Sequence, residues 1–118
     1  GQVVVAGDTK AVARFVALAG ARRAQVRLLP VSAPFHCALM EPAAVGLGCY
    51  LAGVGFREPV LPVFTSVEAR PVAGAAEVPG LLVRQVTAPV RWEETVRALG
   101  ATGATVAFET DRAASPLA

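Results

Sequence analysis

Cysteine and histidine are scarce in this chain, and the shortage excludes several classes of protein. Cys37 and Cys49 are the only cysteines among 118 residues, and there is one histidine. Two cysteines cannot build a disulfide framework, and they lack a second pair at metal-ligand spacing, so neither a stapled secreted module nor a structural metal site is expected. Reduced thiols in a cytoplasmic protein are the expectation that follows. Aromatic residues make up only 6%, and a net charge of +2 is spread thinly along the chain. The basic stripe with interleaved aromatics that nucleic-acid binding requires is therefore missing. Long apolar runs are missing too. Arg, Pro and Gly break each one well short of the ~20 residues of a membrane span, and residues 2–6 read as a strand rather than as a leader. Internal repeats and low-complexity tracts are absent.

What the chain has in excess is apolar surface. Hydrophobic residues are 54% of it and its mean hydropathy is +0.54. That is high for a free-standing soluble domain of this length, and fits a piece whose apolar faces meet neighbours. The pattern along it is α/β. Residues 2–6 are a short apolar strand candidate. Asp8 and Thr9 can cap a helix with Val12, Phe15, Val16 and Ala19 on one face, ended by Gly20. Residues 24–29 return as a strand. Residues 41–52 read as a helix with Pro42 in its first turn and Val45, Leu47 and Leu51 on its apolar side. Residues 60–67 are β-branched and apolar, a core strand; 68–80 are a loop; 81–86 are a short helix broken by Pro89. Trp92, Val96 and Leu99 mark the core face of a further helix, and 105–108 a last strand.

The histidine lies in Pro30-Val31-Ser32-Ala33-Pro34-Phe35-His36-Cys37-Ala38-Leu39-Met40. Pro34 forces the residue before it out of the helical region, which puts His36 on a turn between a strand and a helix. Catalytic groups are commonly mounted on such loops, and imidazole is the side chain most easily used to exchange protons near neutral pH. A lone histidine is more often structural. Cys37 beside it reads as a small buried residue, because neighbours on an extended turn point apart.

The words around His36 change that reading. Gln2-Val3-Val4-Val5-Ala6-Gly7, Leu29-Pro30-Val31-Ser32-Ala33-Pro34-Phe35-His36 and Leu82-Val83-Arg84-Gln85-Val86-Thr87-Ala88-Pro89-Val90-Arg91-Trp92 together resemble three successive blocks of the malonyl-CoA:acyl-carrier-protein transacylases. The likeness runs from Gln2 to about Glu109. It implies part of an acyltransferase fold: residues 1–30 as the second half of a ferredoxin-like small subdomain, and 31–118 as the C-terminal part of an α/β-hydrolase-like core. Past Glu109 the family's Gly-Pro-Gly turn is missing, and the tail 110–118 is expected to be disordered or altered.

The resemblance also implies roles. His36 matches the general base, and Gln85 the residue whose backbone carbonyl orients it. Phe35, Gln2 and Ser66 fall at substrate-contacting positions. The implied substrates are malonyl-CoA and an acyl carrier protein, with no metal or cofactor, no membrane and no nucleic acid. Two parts of the family's machinery have no match. None of Ser32, Ser66 and Ser115 sits in a Gly-x-Ser-x-Gly elbow, and none of Arg22, Arg23 and Arg27 matches the arginine that pairs with the malonyl carboxylate. The expected function is thus malonyl transfer for fatty acid synthesis, on a chain that carries the base without its nucleophile. Two alternatives stand beside it: an acyltransferase piece of a polyketide synthase, and a non-enzymatic small α/β binding module.

Overall fold

A computed structural model describes residues 2–108, so the expectation for the tail 110–118 lies outside the described residues. Four helices organise it: α1 (Thr9–Ala21), α2 (Glu41–Leu51), α3 (Val78–Thr87) and α4 (Trp92–Ala101), with single 3-10 turns at Ala38–Met40 and Ala75–Glu77.

Each helix start has a local cause. Asp8 caps α1, its Oδ1 accepting from the N–H groups of Lys10 at 2.9 Å and Ala11 at 3.3 Å. Prolines stand in the first turns of α2 and α3, where a missing N–H costs nothing. The ends are less obvious. Gly20 does not stop α1, which runs on to Ala21. Arg23 instead takes a left-handed φ of 60° while Arg22, Arg23 and Ala24 return their N–H groups to the carbonyls of Ala19 and Gly20.

The core is small and lies between α2 and α3. Ala44 and Leu51 from α2 and Leu81 from α3 are its buried hydrophobic residues, and Gly48 of α2 faces Val83 of α3. The 3-10 turn at Ala38–Met40 packs on both helices, while α1 packs on no other helix or 3-10 turn. On α4 the buried residue is Thr95, its hydroxyl turned back to the Arg91 carbonyl at 2.8 Å. The stripe of Trp92, Val96 and Leu99 expected to be core is largely exposed. The stripe is there at the right spacing, but the described residues cover it only in part, Trp92 against the cavity it shares with Val72 and Leu81.

The four expected strands are a correction. Among the described residues there is no strand, only an isolated antiparallel bridge between Phe64 and Pro71. A strand exists only when its backbone groups pair with a neighbour. The runs at 2–6, 24–29 and 105–108 have the right composition but pair with no other strand among the described residues, and the run at 60–67 pairs only through that single bridge at Phe64. Val60 is 97% exposed, Phe108 89% and Val3 84%.

A loop held by charge brings the second half together. Val72 N–H donates to the Val63 carbonyl at 2.8 Å, and Arg91 N–H to the Ser66 carbonyl at 2.8 Å. Glu68 pairs with both Arg84 and Arg70, and Arg70 also forks onto Glu77 with two bonds of 3.0 Å. The hydrogen bond from Arg84, with Arg70 close by, holds the Glu68 carboxyl below the ordinary range. Arg70 and then the Ala73 N–H do the same for Glu77.

Candidate active site

His36 occupies the turn expected for it, in an unusual backbone state. Its φ is 61°, the left-handed region, which a non-glycine residue adopts at a cost of about 1–3 kcal/mol. Two contacts hold the turn: Phe35 N–H donates to the Ala33 carbonyl at 2.9 Å, and the half-buried Cys37 thiol donates to the Pro34 carbonyl at 3.0 Å. Cys37 is therefore a staple of the turn, its thiol engaged on the Pro34 carbonyl.

The imidazole reaches across 49 residues of sequence. Its Nδ1 lies 3.0 Å from the backbone carbonyl of Gln85. A carbonyl only accepts, so Nδ1 carries a proton, and in the neutral ring Nε2 presents a lone pair. Nε2 has no hydrogen-bond partner among the described residues. This is the arrangement a general base needs, with a neutral carbonyl where a triad would place a carboxylate.

Gln85 has a free carbonyl for a reason written four residues later. Inside α3 its oxygen would accept from the N–H of residue 89, and residue 89 is proline. The last bond of the helix runs from Ala88 N–H to the Arg84 carbonyl at 2.9 Å, and Ala88 itself is extended, as a residue before proline prefers. In the sequence Pro89 reads as a helix breaker; its second consequence is signalled by its spacing of four from Gln85.

A cleft of about 410 Å³ opens at the imidazole, walled by Phe35, Met40, Leu47, Leu82 and Val86 together with His36 and Gln85. Phe35, His36 and Gln85 are thus brought together. Ser66 lies in an adjoining cavity of about 460 Å³, which shares Leu82 and Gln85 with the first. Thr65 lines that cavity as well, its hydroxyl buried and unpaired. Gln2 is exposed and lines neither, so among the described residues it does not join the other four. No helix among them is long and apolar enough to cross a membrane.

No family model matches the chain. The malonyl CoA-acyl carrier protein transacylase of Salmonella typhimurium is 44% identical over 92% of this chain and 36% of its own length. Among solved structures, the acyl-carrier-protein S-malonyltransferase of Burkholderia pseudomallei superposes with a TM-score of 0.79 at 37% identity, covering 84% of this chain and 33% of that one. A malonyl-transacylase solved in complex with a type II polyketide acyl-carrier protein superposes at 0.77 with 41% identity, over 82% of this chain and 32% of that one. The chain is a relative of the malonyl-CoA:acyl-carrier-protein transacylases, and its fold is similar to part of theirs. It spans about a third of the length of the curated relatives it matches.

Proposed function

We propose that this chain is the general-base portion of a malonyl-CoA:acyl-carrier-protein transacylase, with His36 as base and the Gln85 carbonyl as its orienting partner. The observation that carries the reading is the 3.0 Å contact between Nδ1 and a main-chain oxygen 49 residues away. A packed histidine also seeks an acceptor for one ring N–H; what favours a base is that the fixed tautomer leaves Nε2 without a partner among the described residues, on a ring that lines a cleft.

The chemistry follows from that tautomer. A serine hydroxyl attacks the malonyl thioester carbonyl while Nε2 takes its proton. The tetrahedral intermediate collapses, the carbon–sulfur bond breaks, and the imidazolium returns the proton to the leaving CoA thiol. The malonyl-serine ester is then attacked by the phosphopantetheine thiol of the carrier protein, and the same nitrogen relays the second proton. None of the three serines of this chain stands in a Gly-x-Ser-x-Gly elbow, and Ser32 and Ser66 do not line the cleft with His36. The nucleophile belongs to sequence outside these 118 residues, and so does the arginine that pairs with the malonyl carboxylate. Phe35 and Ser66 are the substrate contacts, and the setting is cytoplasmic. Gln2 is assigned a substrate contact by resemblance alone. In fold terms, residues 1–30 complete a ferredoxin-like subdomain and 31–118 the acyltransferase core, with the strand runs pairing in the larger sheet.

Complementation tests this. Co-expressed with the nucleophile-bearing part of the Salmonella typhimurium relative, the chain should give an assembly that moves malonyl from CoA to holo carrier protein, while the chain alone gives neither transfer nor an acyl-enzyme by mass spectrometry. His36→Ala in that assembly should slow transfer by about 10² or more, the scale of a lost general acid–base. An unchanged rate would return His36 to a structural role. The polyketide-type neighbour supports a second acceptor, and carrier proteins of both pathways should be compared in the same assay.

A further inference from the structure

We infer that Pro89 is a positioning residue: by withholding an N–H from α3, it reserves the Gln85 carbonyl for His36. The inference rests on the reading of His36 as a base, but its physical content is separable from it.

In an α-helix the carbonyl of residue i accepts from the N–H of residue i+4. For Gln85 that residue is Pro89, which has no N–H to give. The ring of Pro89 acts a second time by excluding Ala88 from the helical region, and Ala88 stands at φ −80°, ψ 148°. The helix must therefore stop with the Gln85 oxygen unpaired, and that oxygen lies 3.0 Å from Nδ1 of the imidazole. Any other residue at 89 offers a competing donor from the helix itself. A main-chain donor four residues away is always at hand, whereas the histidine must be held in a left-handed turn to compete. Proline removes the competition. The carbonyl that replaces a triad carboxylate is thus made available by the absence of an N–H four residues further along the chain, at a residue that lines neither cavity.

One rival for this role is the exit path after the helix, which is also pinned by the Arg91 N–H on the Ser66 carbonyl. If that anchor alone ends α3, proline is dispensable. Nitrogen-15 NMR of the side chain decides the matter without ambiguity when only this chain carries the label, because His36 is its only histidine. It is measured on the full labelled chain, assembled with its unlabelled complementing part, at a pH where the ring is neutral. The wild-type signals should be those of a protonated Nδ1 and an unprotonated Nε2. Pro89→Ala should lower the Nδ1–H population at least severalfold toward the Nε2–H form that free neutral imidazole prefers, with helix content by circular dichroism equal or higher. N-methylalanine at position 89, introduced by ligation, lacks both the ring and the N–H, and should keep the wild-type signals.

Wild-type signals in Pro89→Ala would overturn the inference in favour of the Arg91 anchor. The same change in both variants would overturn it in favour of ring packing. Lost helix content in Pro89→Ala would also count against it, since an added donor should lengthen α3. None of these readouts requires catalysis. If His36→Ala leaves transfer intact while Pro89→Ala still shifts the tautomer, the base assignment fails and the positioning inference stands.

Discussion

At the scale of single residues, the turn at His36 trades backbone comfort for direction. A φ of 61° is unfavourable for an L residue, though histidine tolerates it better than a branched side chain would. It persists because the Cys37 thiol, the Phe35 N–H and the Gln85 carbonyl together over-determine the turn. The same turn places Phe35 on the cleft wall beside the imidazole. A ring there leaves little room for a methyl branch on the acyl α-carbon. Phe35→Ser in the complemented assembly should therefore raise methylmalonyl transfer relative to malonyl. The size is bounded by what one methyl contact is worth, about 1–3 kcal/mol, so the preference should shift without becoming absolute. A competition assay with both CoA esters reads the product ratio. An unchanged ratio would leave Phe35 as wall and nothing more.

At the scale of elements, the helices differ in how much of their sequence agrees with them. α2 carries Gly46 and Gly48 in its interior. At Gly48 a Cβ would stand 3.6 Å from Val83 Cγ2, an ordinary van der Waals contact across the α2–α3 face. At Gly46 a Cβ meets nothing within 4 Å. Gly46→Ala should stabilise the chain by roughly 1 kcal/mol through helix propensity alone, seen as a higher thermal midpoint, and a lower midpoint would mean that this face of α2 is covered in solution. The loop before α3 makes a different prediction. Glu68 and Glu77 have folded values below 4.5 because Arg84 and Arg70 hydrogen-bond them. A depressed carboxylate contributes its stabilisation fully above the unfolded value and loses it as pH falls through the lower folded value. The clip between 63–72 and α3 should thus be intact at neutral pH and weaken below about pH 4.5. These side chains are partly exposed, and salt should weaken the clip as well. Amide exchange at Val72 and Arg91, followed against pH and ionic strength, measures it. Exchange rates at those two amides that follow only the intrinsic pH dependence would remove the ion pairs from the account.

Local causes made these elements legible in the sequence. Asp8 and Pro42 act within one turn of themselves, whereas Pro79, read as part of the loop 68–80, stands in the first turn of a helix that begins at Val78 rather than 81; the words around His36 and Gln85 place those two residues in one site. What could not be read was non-local or negative. Strand runs such as 60–67 have the composition of core strands, yet pairing depends on neighbours that composition does not name. The αL residue after α1 was Arg23 rather than a glycine. The freedom of the Gln85 carbonyl depended on a hydrogen that Pro89 does not have.

For the whole molecule the decisive quantity is surface. A self-contained domain of 12.1 kDa exposes about 6,000 Å² and one of 118 residues has a radius of gyration near 13–14 Å. This chain exposes 9444 Å² with a radius of gyration of 16.8 Å. The excess is apolar in kind: Val3, Leu28, Val60, Leu61, Val106 and Phe108 are among its most exposed large side chains, and they come from the runs that read as strands. Against this stands a core of three buried hydrophobic residues among those described, far less than the burial that ordinarily offsets roughly 1–2 kcal/mol of backbone entropy per ordered residue. Exposed apolar surface on this scale also favours association. The isolated chain should therefore melt broadly, bind a hydrophobic dye such as ANS, and associate as its concentration rises. Assembly with the nucleophile-bearing part should sharpen the transition and remove most of the dye signal, because the same apolar runs would then be paired and covered. Calorimetry and sedimentation on both samples decide it. A sharp, concentration-independent melt of a monomer without dye binding would mean that the 118 residues close their own core, and the reading of their apolar faces as surfaces for a larger acyltransferase would have to be abandoned.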